Sequence, residues 1–246
     1  MKSKCAVALS MALAVSCRGE SVQTPEPPFD PNVIAVVLGK HLTLEQKDKL
    51  SGLILGALLE KYAKDNKIEP TDQELDSFVQ GTEKIQEEHQ ADLGRDRDAL
   101  KKELESTSLS DADRKEKEKR LKTIESILDS DREMKDQTKG MEDELRPMKR
   151  KMAVQFVKSW KVNKSLYEKY GGRIIFQQAG AEPLDAYRKF LKDQERLGAF
   201  RIYGKEYEQA FWRYFTDDSM HTFCSQEEGE KFMKTPWWLL EDAPKK

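Results

Sequence analysis

The sequence predicts a mainly α protein: a helical body with a short N-terminal strand and a long projecting helical hairpin. Two observations carry this prediction. Charged residues make up 36% of the chain and hydrophobic residues 37%, a composition typical of solvated helices. Apolar residues recur at helical spacing over most of the chain, but they thin out between residues 83 and 145, where charges dominate.

The first seventeen residues have the pattern of a secretory signal peptide. Lys2 and Lys4 precede an uncharged apolar run that ends at Ser16-Cys17. Leu13 to Cys17 also resembles a bacterial lipobox, which implies that Cys17 is lipidated and becomes the first residue of the mature chain. Ordinary cleavage after Ser16 fits the small-residue rule as well, and would allow a Cys17–Cys224 disulfide.

A tether follows at residues 18–32, where four prolines accompany few apolar residues. With a lipid on Cys17, such a tether would let a folded body stand off the membrane. We therefore expect a bacterial periplasmic location with a lipid anchor. Arg18 after the cysteine resembles enterobacterial lipoproteins that are sorted to the outer membrane.

Residues 33–82 begin with one strand, the β-branched run Val33 to Leu38, which ends at Gly39. Pairing of this strand with one near Arg173 to Phe176 stays open at this point. Thr43 and Gln46 form a capping box for a helix that runs to about Asn66. A second capping box, Thr71 and Glu74, starts the next helix.

Residues 83–145 are predicted to form a charged antiparallel hairpin with a thin apolar seam. The seam residues have near-heptad spacing: Leu93, Leu100 and Leu104, then Leu121, Ile124 and Leu128. Ser110 is the expected cap of the second helix. Disorder is the alternative, because such a composition buries little apolar surface.

Residues 146–240 are rich in aromatic side chains and should complete the body. A helix is predicted from near Pro147 to Gly171, followed by helices over 183–198 and 203–215 and a short one at Phe232 and Met233. The segment Val33 to Gly81 joins this region in one core.

Candidate chemistry is sparse. A net charge of −2 gives no field that would favour nucleic acid. His221 and Cys224 are too few for a zinc site, and we expect no metal and no cofactor. The loop from Gly171 to Pro183 is either a packed connector or a ligand loop. An envelope enzyme with a cleft around Arg173, Gln177, Glu182 and His221 therefore stays open as an alternative.

The segment Val33 to Gly81 resembles the N-terminal domain of SurA/PrsA-type periplasmic folding factors. The resemblance rests on the run from Val33 to Thr43, the apolar helix from Leu50 to Ala63, and Ile68 to Asp76. Leu38 departs from it, standing where that family commonly has Asn. The resemblance implies a helical chaperone module that binds extended polypeptides. The family's prolyl-isomerase domain is not found in the sequence.

We therefore expect a non-catalytic, chaperone-like protein whose clients are extended or unfolded polypeptides. The expected groove lies between the first helix and the aromatic C-terminal region, and its lining residues are Leu50, Ile54, Leu58, Tyr62, Trp212, Trp237 and Trp238. A structural envelope lipoprotein that pairs through the hairpin is a further alternative. The oligomeric state is left open.

Overall fold

The computed structural model describes residues 30–106 and 108–240. It confirms the mainly α class, with short strands and two- and three-stranded sheets beside the helices. The signal peptide, Cys17 and the tether up to residue 29 lie outside the described residues.

The N-terminal strand pairs differently from the sequence-based expectation. Strand β1 (Val33–Val37) turns into β2 (Lys40–Thr43), and its other edge pairs with β5 (Phe200–Ile202). The segment after Arg173 instead forms a separate hairpin, β3 (Ile175–Gln177) with β4 (Gly180–Glu182). The suggested pairing of β1 with residues 173–176 is therefore wrong.

The turn between β1 and β2 contains Leu38, the residue that departs from the folding-factor pattern. Leu38 and Gly39 both have positive φ, 49° and 78°. Two such residues make the primed turn that matches the twist of a hairpin. Asn adopts this conformation more readily than Leu, so Leu38 stands at a position where the backbone itself favours Asn.

Four helices follow the first hairpin. A 3-10 turn (Leu44–Lys49) leads into α1 (Leu50–Asp65), and the long helices α2 (Asp72–Leu104), α3 (Asp111–Thr138) and α4 (Glu142–Tyr170) come next. The predicted caps are present: Thr71 accepts from Glu74, and Ser110 from Asp113. Helix α4 begins five residues before Pro147, earlier than predicted, and ends at Gly171.

The C-terminal region contains α5 (Leu184–Arg196), α6 (Lys205–Thr216) and α7 (Gln226–Lys234), with 3-10 turns at Asp218–Met220 and Trp237–Leu239. The main core joins this region to β1 and α1. Ile54 and Leu58 of α1 pack there with Leu166 of α4, Phe190 of α5 and Phe211 of α6.

The outer part of α2, residues 83–104, and α3 form the projecting hairpin, which we call the arm. Its two helices are antiparallel, since Asp96 pairs with Arg120 at 2.9 Å and Gln90 donates to Asp131 at 3.1 Å. Helix α4 continues along α2 after α3, with Lys149 bonded to Glu83 at 2.6 Å. Helices α3 and α4 therefore follow one another along the same partner helix.

Candidate functional site

The apolar face of α1 closes the core. Leu50, Ile54 and Leu58 are at most 3% exposed, and the side chains of α4, α5 and α6 cover them. A peptide has no access to these side chains in this structure. The groove predicted between α1 and the C-terminal aromatic region is filled by the protein's own residues, which corrects the expectation for these three positions.

Tyr62 and Trp212 lie at the edge of the same core. The Tyr62 hydroxyl shares a 2.9 Å hydrogen bond with the Ser165 hydroxyl, and its ring contacts Phe190 edge-on at 5.5 Å. Trp212 is half-buried, with its ring 5.0 Å from that of Phe211 and 6.3 Å from that of Phe215. Both aromatic residues are engaged within the body.

Trp237 and Trp238 hold the C-terminal segment against the base of the arm. Trp238 is buried, and its ring packs edge-on against Phe78 of α2 at 5.0 Å and Trp160 of α4 at 6.0 Å. Trp237 is half-buried and approaches Phe78 at 6.0 Å. These tryptophans are thus packing residues, and a shallow cleft of about 270 Å³ opens beside Gly81 and Leu239.

Gly81 makes the approach of this segment to α2 possible. A Cβ on Gly81 would clash with the carbonyl oxygen of Trp238. Any larger residue would therefore push the C-terminal segment away from α2.

Arg173, the first residue of the alternative enzyme cleft, is fully engaged in ion pairs. Its guanidinium donates to Asp185 at 2.9 Å and to Asp218 at 2.6 Å, and lies 4.1 Å above the ring of Phe223. Burial alone would raise the pKa of Asp185, but the hydrogen bonds and charge of Arg173 outweigh it and lower that pKa. The Asp185 and Asp218 bonds raise the pKa of Arg173.

Glu182 belongs to a separate polar cluster. The Tyr214 hydroxyl donates to the Glu182 carboxylate, and the charge of His221 acts on it. Burial raises the pKa of Glu182 above its ordinary value, although His221 and Tyr214 pull it the other way. His221 Nε2 lies 2.6 Å from the Tyr214 carbonyl oxygen, and its Nδ1 is buried with no partner among the described residues.

Gln177, the last member of the proposed cleft, is half-buried in β3. A pocket of about 320 Å³ opens beside Arg173, Ile174 and Cys224. The Cys224 thiol is a poor nucleophile there, since burial and the charge of Glu228 raise its pKa. Arg173, at the edge of this pocket, links the segment before β3 to α5 through Asp185 and to the turn at Asp218.

The sequence interpretation missed an exposed apolar stripe on the arm and the start of α4. Between residues 111 and 152, the large apolar side chains that stand exposed are Ile127, Met134, Met141, Met148 and Met152. The first four are exactly seven residues apart. We call these five residues the methionine stripe. This spacing is present in the sequence, but the near-heptad pattern of the neighbouring leucine seam drew the interpretation to other positions.

The stripe residues share one side of the α2–α3–α4 array. At about 100° per residue, Ile127 and Met134 lie about 60–80° around α3 from the buried Ile124. Met148 and Met152 lie about 100–140° around α4, in the same rotational sense, from the buried Ala153. Because α3 and α4 run in the same direction along α2, the two parts of the stripe are in line. Their side chains are 39–61% exposed; Met148 and Met152 are neighbours on one face of α4, and the others stand about two helical turns apart.

A scan against protein-family models, a search of curated proteins and a search of solved structures found no match to this chain. Within residues 30–106 and 108–240, no helix is long and apolar enough to cross a membrane. The same residues contain no group of three or more His, Cys, Asp or Glu side chains that is arranged to hold a metal ion.

Proposed function

We propose that this is a lipid-anchored envelope protein that binds extended or unfolded polypeptides without catalysis, and that the methionine stripe is its client-binding surface. The observation that carries the proposal is the exposure of one isoleucine and four methionines along one side of the charged arm and the start of α4. Met134, Met148 and Met152 are each about 60% exposed. We take this row of exposed apolar side chains on a solvated surface as the candidate interaction site.

Methionine suits a surface that must accept many sequences. Its side chain is unbranched, flexible and polarisable, so it adapts to irregular partners and is common at promiscuous binding surfaces. The arm carries Ile127 and Met134 away from the body, and the start of α4 carries Met148 and Met152 beside the base of the arm. A client segment can therefore lie along α3 and α4 without opening the core that contains Leu50, Ile54 and Leu58.

The resemblance of Val33 to Gly81 to SurA/PrsA-type folding factors supports the same class of function. The position of the site differs, because the body groove suggested by that resemblance is closed in this structure. The SurA-like segment then serves as part of the scaffold from which the arm extends.

The envelope location rests on the leader sequence. A lipid on Cys17 and the tether that follows would hold the body near the membrane surface. Replacing Cys17 with Ser should release the protein from the membrane fraction into the soluble fraction, because one acyl-bearing residue supplies the anchor. A variant that remains as membrane-associated as the parent contradicts this part of the proposal.

The binding proposal is tested by replacing Met134, Met141, Met148 and Met152 together with Gln, a good helix former of similar length. We expect this variant to lose most of its ability to suppress aggregation of a denatured, client-type protein such as reduced lysozyme. Its melting temperature should stay within a few degrees of the parent's, because exposed side chains contribute little to stability.

Met220→Gln is the matched control. Met220 is 51% exposed but lies in the C-terminal region, away from the stripe. It should suppress aggregation as well as the parent does. Equal suppression by the quadruple variant and the parent would rule out the stripe as the client site.

A further inference from the structure

We infer that the methionine stripe is a site of reversible oxidation, at which peroxides convert Met134, Met148 and Met152 to methionine sulfoxide and thereby switch off client binding. The effect on clients rests on the proposed function. The order in which the methionines are oxidised stands on their exposure alone. Oxidation turns a flexible apolar side chain into a polar one, a change that disrupts methionine-rich binding surfaces.

Solvent exposure sets the order in which methionines meet a dissolved oxidant. Met134, Met148 and Met152 are each more than half exposed, and Met141 is less exposed. An oxygen atom added to such a side chain has room at the surface and displaces no core residue. Oxidation of the stripe should therefore leave α3 and α4 folded, as exposed substitutions usually do.

Met233 provides the contrast within the same chain. It is buried and packs with Ile174, Ala181 and Phe232. A dissolved oxidant reaches its sulfur when the C-terminal region opens, and a sulfoxide there would place a polar group in an apolar cluster. Oxidation of the stripe and loss of the body fold should therefore need well-separated doses of oxidant.

Cys224 is the competing thiol among the described residues. The thiolate is the form of cysteine that reacts, and burial together with the charge of Glu228 raises the pKa of this thiol. A thioether has no proton to lose, so its reactivity is independent of such a shift. Cys224 should therefore compete poorly with the stripe for a peroxide at neutral pH.

The chemical step is a two-electron oxidation of sulfur. The sulfur lone pair attacks one peroxide oxygen, the O–O bond breaks, and the proton on the attacked oxygen passes to the departing hydroxide, which leaves as water. The products from hydrogen peroxide are one methionine sulfoxide and one water. The reverse step consumes two thiols, which end as a disulfide while the sulfoxide oxygen leaves as water, and methionine sulfoxide reductases catalyse it.

A switch of this kind suits the location that the proposed function assigns, because the bacterial envelope is an oxidising compartment. Each sulfoxide removes an apolar contact and presents a polar S–O group to the client. The exposed methionines lie along one side of α3 and α4, so several sulfoxides would act on the same client segment. The amount of protein that gives half-maximal aggregation suppression should then rise about tenfold.

Peptide mass spectrometry of the full chain, after graded treatment with hydrogen peroxide, tests the site. We expect an added oxygen first at Met134, Met148 and Met152 and last at Met233, while the melting temperature stays within a few degrees of the untreated protein's. Met220 is exposed as well and should be oxidised with the stripe, although it lies away from it. Oxidation of Met233 as early as Met148 would overturn the inference.

Leucine replacements separate oxidation from the loss of apolar surface. Changing Met134, Met141, Met148 and Met152 together to Leu keeps apolar, helix-forming side chains that peroxide does not oxidise. This variant should suppress aggregation equally before and after peroxide. The parent should lose about tenfold and recover after treatment with methionine sulfoxide reductases and a dithiol. Met220→Leu is the matched control and should lose suppression as the parent does.

The outcomes distinguish the oxidation switch from the proposed client site. If peroxide weakens the quadruple Leu variant as much as the parent, or if a parent with a fully oxidised stripe suppresses aggregation as before, the switch is refuted. If the untreated parent and the quadruple Met→Gln variant suppress aggregation equally, the client site and the switch fail together. The order of oxidation is then judged by mass spectrometry alone.

Discussion

The base and the outer part of α2 belong to one unbroken helix, yet different forces hold them in place. At the base, Leu75 and Phe78 pack against Ala153 and Val157 of α4 and against Trp238. Along the arm, Leu100 of α2 and Ile124 of α3 are buried, and half-buried leucines, hydrogen bonds and exposed ion pairs supply the other contacts. Such ion pairs stabilise by well under 1 kcal/mol each.

This difference indicates that the base of α2 contributes to stability and that the outer arm is available for binding. Burial of aromatic and aliphatic surface fixes the base of the arm to the body. The outer arm buries too little to add much to the free energy of unfolding, and it is therefore free to leave apolar side chains exposed.

Phe78 and Leu100 allow the most direct comparison of the two parts. They are equally buried, at 7% and 6% exposure. Phe78→Ala should lower the free energy of unfolding by about 3–5 kcal/mol, because it removes the stacked contact with Phe156 and the edge contact with Trp238. The measurement is chemical denaturation followed by tryptophan fluorescence.

Leu100→Ala should instead act locally. We expect faster amide hydrogen exchange in α3 and the outer part of α2, with little change in the denaturation midpoint of the body. An equal loss of global stability in both variants would show that arm and body unfold as one unit.

Gly81 and Gly94 repeat the comparison within the same helix. Gly81→Ala should destabilise by about 1–3 kcal/mol, since the new Cβ meets the carbonyl of Trp238. Gly94→Ala meets nothing within 4 Å and should stabilise the arm by up to about 1 kcal/mol through helix propensity. Thermal unfolding of both variants checks the opposite signs, and destabilisation by Gly94→Ala would mean that the arm packs against a partner in solution.

Glu182 tests a third kind of stabilisation, that of a buried polar cluster in the body. Its folded-state pKa lies above the ordinary value, so the folded protein holds this proton more tightly than the unfolded chain. The stability linked to this group is therefore present at low pH and is lost as pH rises through the raised pKa.

The matched variant is Glu182→Gln, which keeps an acceptor for Tyr214 and removes the titration. Raising the pH from about 4 to 7 should reduce the stability of the parent relative to the variant. Groups with lowered pKa values, such as Asp185, change stability in the opposite sense but are common to both proteins. A pH-independent difference would contradict the assignment.

Local signals in the sequence predicted most helices of this fold. The capping box at Thr71 and the cap at Ser110 place the starts of α2 and α3, and Gly171 places the end of α4. The box at Thr43 starts the 3-10 turn before α1, which itself begins later than predicted, at Leu50. These features act within one turn of helix, so no tertiary contact is needed to recognise them. Pro147 misled the prediction for α4, because a proline six residues into a helix looks like a start.

Long-range packing was harder to foresee. Strand β5 has only three residues, too few for an alternating pattern, so the partner of β1 was misplaced. The apolar face of α1 was visible, but an amphipathic face looks the same whether it lines a groove or closes a core. The contact between Gly81 and Trp238 joins residues that are far apart in sequence, and no local pattern marks it.

We propose that folding and binding are carried by different parts of this chain: the body folds without the arm, and the methionine stripe binds clients. Replacing residues 88–143 with a short Gly/Ser loop removes the arm, and closure is easy because Glu83 and Lys149 are already bonded at 2.6 Å. Met148→Gln and Met152→Gln in the same protein remove the rest of the stripe. We predict cooperative melting within a few degrees of the parent and loss of aggregation suppression. Loss of cooperative melting, or suppression as strong as the parent's, would contradict the account.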